Sequence, residues 1–106
     1  MIDSAVVDKI AQEARDLIPV GGFGLYEFMW MLNGEYPDMP MSEKRATARA
    51  ALRRLIDEGG VEIVLLEWPP TEAVGRLTFS DIEDSHFLDP DESLPYAALM
   101  PVEVVE

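Results

Sequence analysis

A chain of 106 residues, 48% of them apolar and 27% charged, has the composition of one globular domain spanning residues 1–106, not of a disordered segment. The absence of cysteine excludes disulfide bonds and thiolate metal sites, and no apolar run approaches the ~20 residues that cross a membrane. The net charge of −13 disfavours phosphate and anionic lipid as ligands. No signal-peptide pattern is visible, and the absence of cysteine fits the expected cytoplasmic location.

The first helix is predicted over residues 4–18, with Ser4 as its N-cap and apolar residues recurring at three-and-four spacing. Pro19 is expected to end it, because proline lacks the amide hydrogen and disfavours helical geometry in the preceding residue. The next residues, Gly21–Gly24, include three glycines. A phosphate-binding loop would need a preceding strand and a following Lys-Ser or Lys-Thr pair, so a turn with positive φ is the favoured interpretation.

The second helix, predicted near residues 24–33, is apolar on nearly every side. Tyr26 and Trp30 are four residues apart and therefore share a face, and the neighbouring Met31 is also large. Either the rest of the chain covers this helix, or these three residues form an apolar patch that pairs two copies in a homodimer.

The third helix, predicted over residues 42–58, begins at Ser42 and ends at Gly59-Gly60. A strand rich in β-branched residues is predicted over 61–68, with a return strand over 76–80 that completes an antiparallel hairpin. A third strand could join it near 96–100. The expected core consists of Ile10, Leu17, Leu25, Phe28, Leu32, Leu52, Leu55, Ile63 and Leu65.

Charge is distributed unevenly along the chain. Residues 1–56 carry a net charge of −1, whereas residues 57–106 carry a net charge of −12 and a single base, Arg76. An acidic extension begins at about residue 81, where a short helical turn over 80–88 is expected to be capped by Ser80 and to pack Ile82, Phe87 and Leu88 inward. Such an excess of acids attracts basic partners. The alternative explanation is that the acids serve only to keep the protein soluble.

The residues that could carry catalysis or bind metal are few. His86 is the only histidine, and Asp84-Ser85-His86 are sequence neighbours that cannot align as a catalytic triad. Asp89, Asp91 and Ser93 alternate as in a calcium loop, but Pro90 and the missing central glycine break that pattern. We therefore expect no enzymatic activity, no metal site and no cofactor.

Three helices followed by a hairpin resemble the winged helix-turn-helix superfamily, over about residues 4–80 and in topology only. The expected fold class is therefore α+β and winged helix-like. Members of this superfamily that bind DNA insert the third helix into the major groove and rest the wing on phosphates. The resemblance nominates Arg45, Arg49 and Arg53 as DNA contacts. The predicted wing tip, residues 69–75, departs from that pattern because only Arg76 lies near it.

Two functions remain open. The first is a non-enzymatic protein-binding module, similar to the small acidic immunity and antitoxin-like inhibitors, that covers a basic partner such as a nuclease toxin. The second is a winged-helix transcription regulator, although nucleic acid is the less expected ligand. The predicted protein-binding residues are acids and apolar anchors: Glu62, Glu67, Asp81, Glu83, Asp84, Asp89, Asp91 and Glu92, with Trp68, Phe87 and Tyr96.

Overall fold

A computed structural model describes residues 3–67, 73–89 and 95–102 and has an α+β fold. In these residues, three helices pack with a four-stranded antiparallel sheet, which confirms the predicted α+β class. The elements are α1 Ser4–Gly21, β1 Phe23–Gly24, α2 Leu25–Glu35, α3 Met41–Glu58, β2 Val61–Leu66, β3 Ala73–Leu77 and β4 Tyr96–Pro101, with 3-10 turns at Phe79–Asp81 and Asp84–Phe87. None of the helices in the described residues is long and apolar enough to cross a bilayer.

The ends of α1 differ from the prediction. Asp3, not Ser4, is the N-cap, and its carboxylate accepts a hydrogen bond of 2.9 Å from the amide of Ala5. Pro19 lies inside the last turn and does not end the helix. A proline there removes only one backbone hydrogen bond, and the helix ends instead at Gly22, whose φ of +83° favours glycine.

The other helices begin and end close to the predicted positions. The third helix starts at Met41, preceded by Pro40, and the prediction that Ser42 caps it was wrong. Proline at this place costs nothing, because the first amides of a helix have no intrahelical acceptor. The helix ends at Gly59, which has a φ of +79°, as the glycine pair indicates.

The strands lie side by side in the order β1, β4, β2, β3. The sequence predicts a strand near 96–100, and β4 fills that stretch and pairs with both β1 and β2. The return strand β3 begins earlier than predicted, at Ala73, and ends at Leu77. The two-residue strand β1 escapes sequence analysis because two residues show no periodicity.

The main core lies between the helices and one face of the sheet. Seven of the nine predicted core residues are buried: Ile10, Leu25, Phe28, Leu32, Leu52, Leu55 and Ile63. The prediction was wrong for Leu17, which is 43% exposed, because the buried stripe of α1 is centred on Val7, Ala14 and Ile18 and Leu17 lies at its margin. Leu65 is only half-buried. A second, smaller cluster of Val64, Leu66 and Ala98 occupies the opposite face of the sheet.

Candidate functional site

The acidic segment, residues 78–89, is held against α3 by Arg49. The guanidinium donates a 3.0 Å hydrogen bond to the carbonyl of Ile82 and lies 3.6 Å from the carboxylate of Asp84. It also lies 5.9 Å and 6.0 Å from the ring centroids of Phe79 and Phe87. Arg49 therefore attaches the segment to the helix by polar and aromatic contacts, and Arg53 adds one contact with the ring of Phe79.

A local hydrogen-bonded turn shapes the start of this segment. The carboxylate of Asp81 accepts 2.9 Å hydrogen bonds from both the amide and the hydroxyl of Thr78. These two bonds, the amide's first, lower the pKa of the Asp81 carboxyl. Thr78 takes the capping place that the sequence assigns to Ser80. The predicted helical turn over 80–88 is thus divided into two 3-10 turns.

Most of the cations of the chain pair with its own acids. Six of the eight basic residues form ion pairs: Lys9 with Glu35, Arg15 with Glu58, Arg49 with Asp84, Arg53 with Asp57, Arg54 with Asp8 and Arg76 with Glu62. Lys44 is buried and donates to the side-chain oxygen of Asn33 at 2.9 Å. Arg45 has no ion-pair partner in the parts of the chain that the structure describes. The charges that these contacts leave over on the described surface are consequently mostly those of carboxylates.

A cleft of about 230 Å³ lies where α2, the start of α3 and the acidic segment meet. Met29 and the buried ring of Phe87 contribute apolar surface to its lining. Three further apolar side chains that line it are well exposed: Trp30 by 56%, Met41 by 48% and Leu88 by 62%. The polar lining comes from Asn33, Arg45, Asp84 and Asp89.

Two contacts fix Trp30 beside this cleft. Its indole Nε1 donates a 2.6 Å hydrogen bond to the carboxylate of Asp89, which ties α2 to the acidic segment. Its ring stands edge-on to that of Tyr26 at 4.9 Å, and Tyr26 stands edge-on to Tyr96 of β4 at 5.9 Å. Burial, assisted by the nearby Glu27, raises the pKa of both tyrosines, so both stay neutral at physiological pH.

The structure brings only some of the predicted binding residues together. Asp84 and Asp89 line the cleft beside Arg45, which the sequence nominates for DNA. Glu62 lies on the sheet, 3.6 Å from Arg76, and Glu67 is exposed just after β2. Trp68, Asp91 and Glu92 lie outside the described residues, as does most of the predicted wing tip.

The predicted apolar anchors need correction. Phe87 is only 2% exposed and packs in the main core, so it cannot reach the surface of a partner. Leu88 is expected to pack inward and instead points to solvent, because Phe87 and Ile82 already fill the space beneath the segment. Met31 packs partly buried against the main core, unlike its exposed neighbour Trp30. Sequence analysis missed Met41 and Leu88 as surface residues because each stands alone beside loop residues, with no periodicity to mark its face.

His86 and the acids near the site take part in local contacts. The ring Nδ1 of His86 accepts a 2.8 Å hydrogen bond from the amide of Glu83, so this nitrogen serves the local turn. Within residues 3–67, 73–89 and 95–102, no three His, Asp or Glu side chains come together in a way that could hold a metal ion. The site therefore offers exposed apolar surface next to fixed charges.

The chain matches no protein-family model, no curated protein and no solved structure.

Proposed function

We propose that this protein is a non-enzymatic protein-binding module that covers a basic partner, in the manner of an immunity or antitoxin-like inhibitor of a nuclease toxin. One observation carries the proposal. The cations of the described surface are paired or buried apart from Arg45, whereas carboxylates such as Glu67, Glu83 and Asp89 remain exposed. A basic protein surface is the ligand that such a distribution favours.

The charge excess would act mainly on the rate of association. Complementary fields raise association rate constants by one to three orders of magnitude and lose this effect as salt screens them. The acids of the segment also need little reorganisation on binding, because Arg49 and Thr78 already fix its backbone. Electrostatic attraction speeds association, but a high affinity also requires apolar contact with the partner. The exposed Trp30, Met41 and Leu88 provide apolar surface for that contact.

The alternative is that this protein is a winged-helix transcription regulator, whose fold would then belong to the winged helix-turn-helix superfamily. The contacts of α3 weigh against this alternative. Arg49 is held by Ile82 and Asp84, and Arg53 pairs with Asp57 at 3.1 Å while its guanidinium lies 5.1 Å from the ring centroid of Phe79. Both would have to leave these partners to reach phosphates. The hairpin offers Arg76, which lies beside Glu62.

The test is to co-express the chain with each protein encoded beside its gene and to purify any complex. We expect a basic neighbour to co-purify, with an association rate constant that falls steeply between 50 and 500 mM salt, as expected for a Debye length that shortens from about 14 to about 4 Å. Replacing Glu67→Gln together with Glu83→Gln should slow association several-fold at low salt. The control pair Asp16→Asn and Asp38→Asn removes the same charge elsewhere and should have a smaller effect.

The regulator alternative makes the opposite prediction. Under it, the purified chain binds a 20-base-pair duplex below micromolar at physiological salt, and Arg49→Ala or Arg53→Ala abolishes that binding. Circular dichroism of each variant must first show an intact fold, because Arg49 also holds the acidic segment. Duplex binding of that strength, with that dependence on the two arginines, would overturn our proposal.

A further inference from the structure

We infer that the cleft beside Trp30 takes one apolar side chain of a partner segment that carries a Lys or Arg next to it. This inference rests on the proposed protein-binding function and names the chemistry that the site would recognise. The occupant is a basic protein segment, and a second copy of this chain and a small-molecule ligand are the competing occupants.

The exposed apolar side chains of the cleft indicate that the partner side chain that enters it, called the anchor below, is apolar. Trp30, Met41 and Leu88 come from three different parts of the chain, α2, the start of α3 and the acidic segment, yet all three line one cleft. Each is about half exposed or more, and the other exposed large apolar residues in the described parts of the chain, Leu17, Val20, Val74 and Val102, do not line this cleft. Exposed apolar surface that converges on a concave site is typical of a place where a partner inserts a side chain.

The size of the cleft favours a side chain over a small molecule. Its volume of about 230 Å³ lies below the ~300–1,000 Å³ that small-molecule and cofactor sites usually enclose. A single large apolar side chain, with the backbone that carries it lying across the opening, needs less room. The cleft is therefore better matched to an anchor residue of a peptide segment.

The fixed charges of the cleft determine which charge is favoured on the partner residue next to the anchor. Asp84 and Asp89 both line it, and each is held in place, Asp84 by Arg49 and Asp89 by the indole of Trp30. A lysine or arginine adjoining the anchor would reach these carboxylates. Among the described residues, Arg45 is the cation that lines the cleft, and it would repel a second basic group on its own side and so set the direction of the segment.

Charge also decides between a basic partner and a second copy. Two copies joined through this cleft would bring two sets of Asp84 and Asp89 together in a protein whose net charge is −13. Like charges placed across an interface suppress association, whereas a basic segment gains from the same groups. The predicted homodimer through Tyr26, Trp30 and Met31 is also disfavoured because Met31 packs against the main core and offers less surface to a second copy.

The experiment selects binders from a phage-displayed library of random 12-residue peptides and measures the enriched peptides by fluorescence anisotropy with the whole chain. We expect the enriched peptides to share a Leu, Ile, Met, Phe or Trp flanked by Lys or Arg. Leu88→Ser and Asp89→Asn should each weaken binding about tenfold; asparagine still accepts a hydrogen bond from the indole and removes only the charge. Two matched controls, Val20→Ser, at a site that is 82% exposed on α1, and Asp16→Asn, should leave binding unchanged.

Three results would overturn the inference. The first is enrichment of peptides without a cation, or of none at all. The second is basic peptides whose binding the Leu88 and Asp89 variants do not weaken more than the controls. The third is self-association in sedimentation that Leu88→Ser removes, which would assign the cleft to a second copy. A complex with a basic neighbour that survives Leu88→Ser would refute the cleft and leave the proposed function standing, whereas the duplex-binding result above would refute the function itself.

Discussion

Arg49→Ala tests whether α3 holds the acidic segment in place. The variant removes a charged donor from the Ile82 carbonyl, a loss of about 1.5–3 kcal/mol for hydrogen bonds of this kind. The ion pair with Asp84 adds only ~0–1 kcal/mol, because that carboxylate is 65% exposed. Contacts with the rings of Phe79 and Phe87 add ~0.5–1 kcal/mol each at such sites. These terms overlap, so we expect a loss of about 2–4 kcal/mol.

Urea unfolding followed by circular dichroism measures this loss. With a slope of about 1–3 kcal/mol per molar urea for a small domain, the midpoint should fall by roughly 1–2 M. Arg53→Ala is the matched control, since Arg53 has an exposed pair with Asp57 and one ring contact, together worth about 1 kcal/mol. If Arg49→Ala lowers the free energy of unfolding no more than Arg53→Ala does, Arg49 does not hold the acidic segment, and the acids of that segment are not held in place before a partner binds.

The remaining predictions concern the core and one carboxyl group. Leu52→Ala and Phe28→Ala, both at fully buried sites, should each cost about 2–5 kcal/mol in urea unfolding, whereas Leu17→Ala should cost under ~1 kcal/mol; equal losses at all three would show that the exposed side of α1 is misassigned. Asp81→Ala should lower Tm at pH 7, because hydrogen bonds from Thr78 lower the pKa of this carboxyl below 3.8 and stabilise its charged form. That stabilisation is present above the unfolded pKa and is lost as pH falls through the folded value, so the difference in Tm should narrow below about pH 4, and a constant difference would contradict the assignment.

Much of the architecture follows from local patterns in the sequence. The three-and-four spacing in α1 and α3 and the β-branched run of β2 determine element type, because each repeats over several turns or residues. Glycine ends α3 where the sequence predicts, at Gly59, whereas α1 runs past the predicted stop at Pro19 and ends at Gly22, which also adopts a positive φ. The α+β class, most of the core and the strand near 96–100 could therefore be predicted without coordinates.

The candidate site depends on contacts that no local pattern encodes. The sequence points to the arginines of α3 only as DNA contacts and to an acidic extension from about residue 81, but it does not reveal that the two regions pair. That pairing joins Arg49 to Ile82 and Asp84 across more than 30 positions of the chain, and it is set by the burial of Ile82 and Phe87 in the core. The same packing leaves Leu88 outside and places it in the cleft with Trp30 and Met41. Local spacing in the sequence determines which face of an element is apolar. Which apolar residues remain exposed on the surface depends on how the buried side chains of different elements pack together in the core.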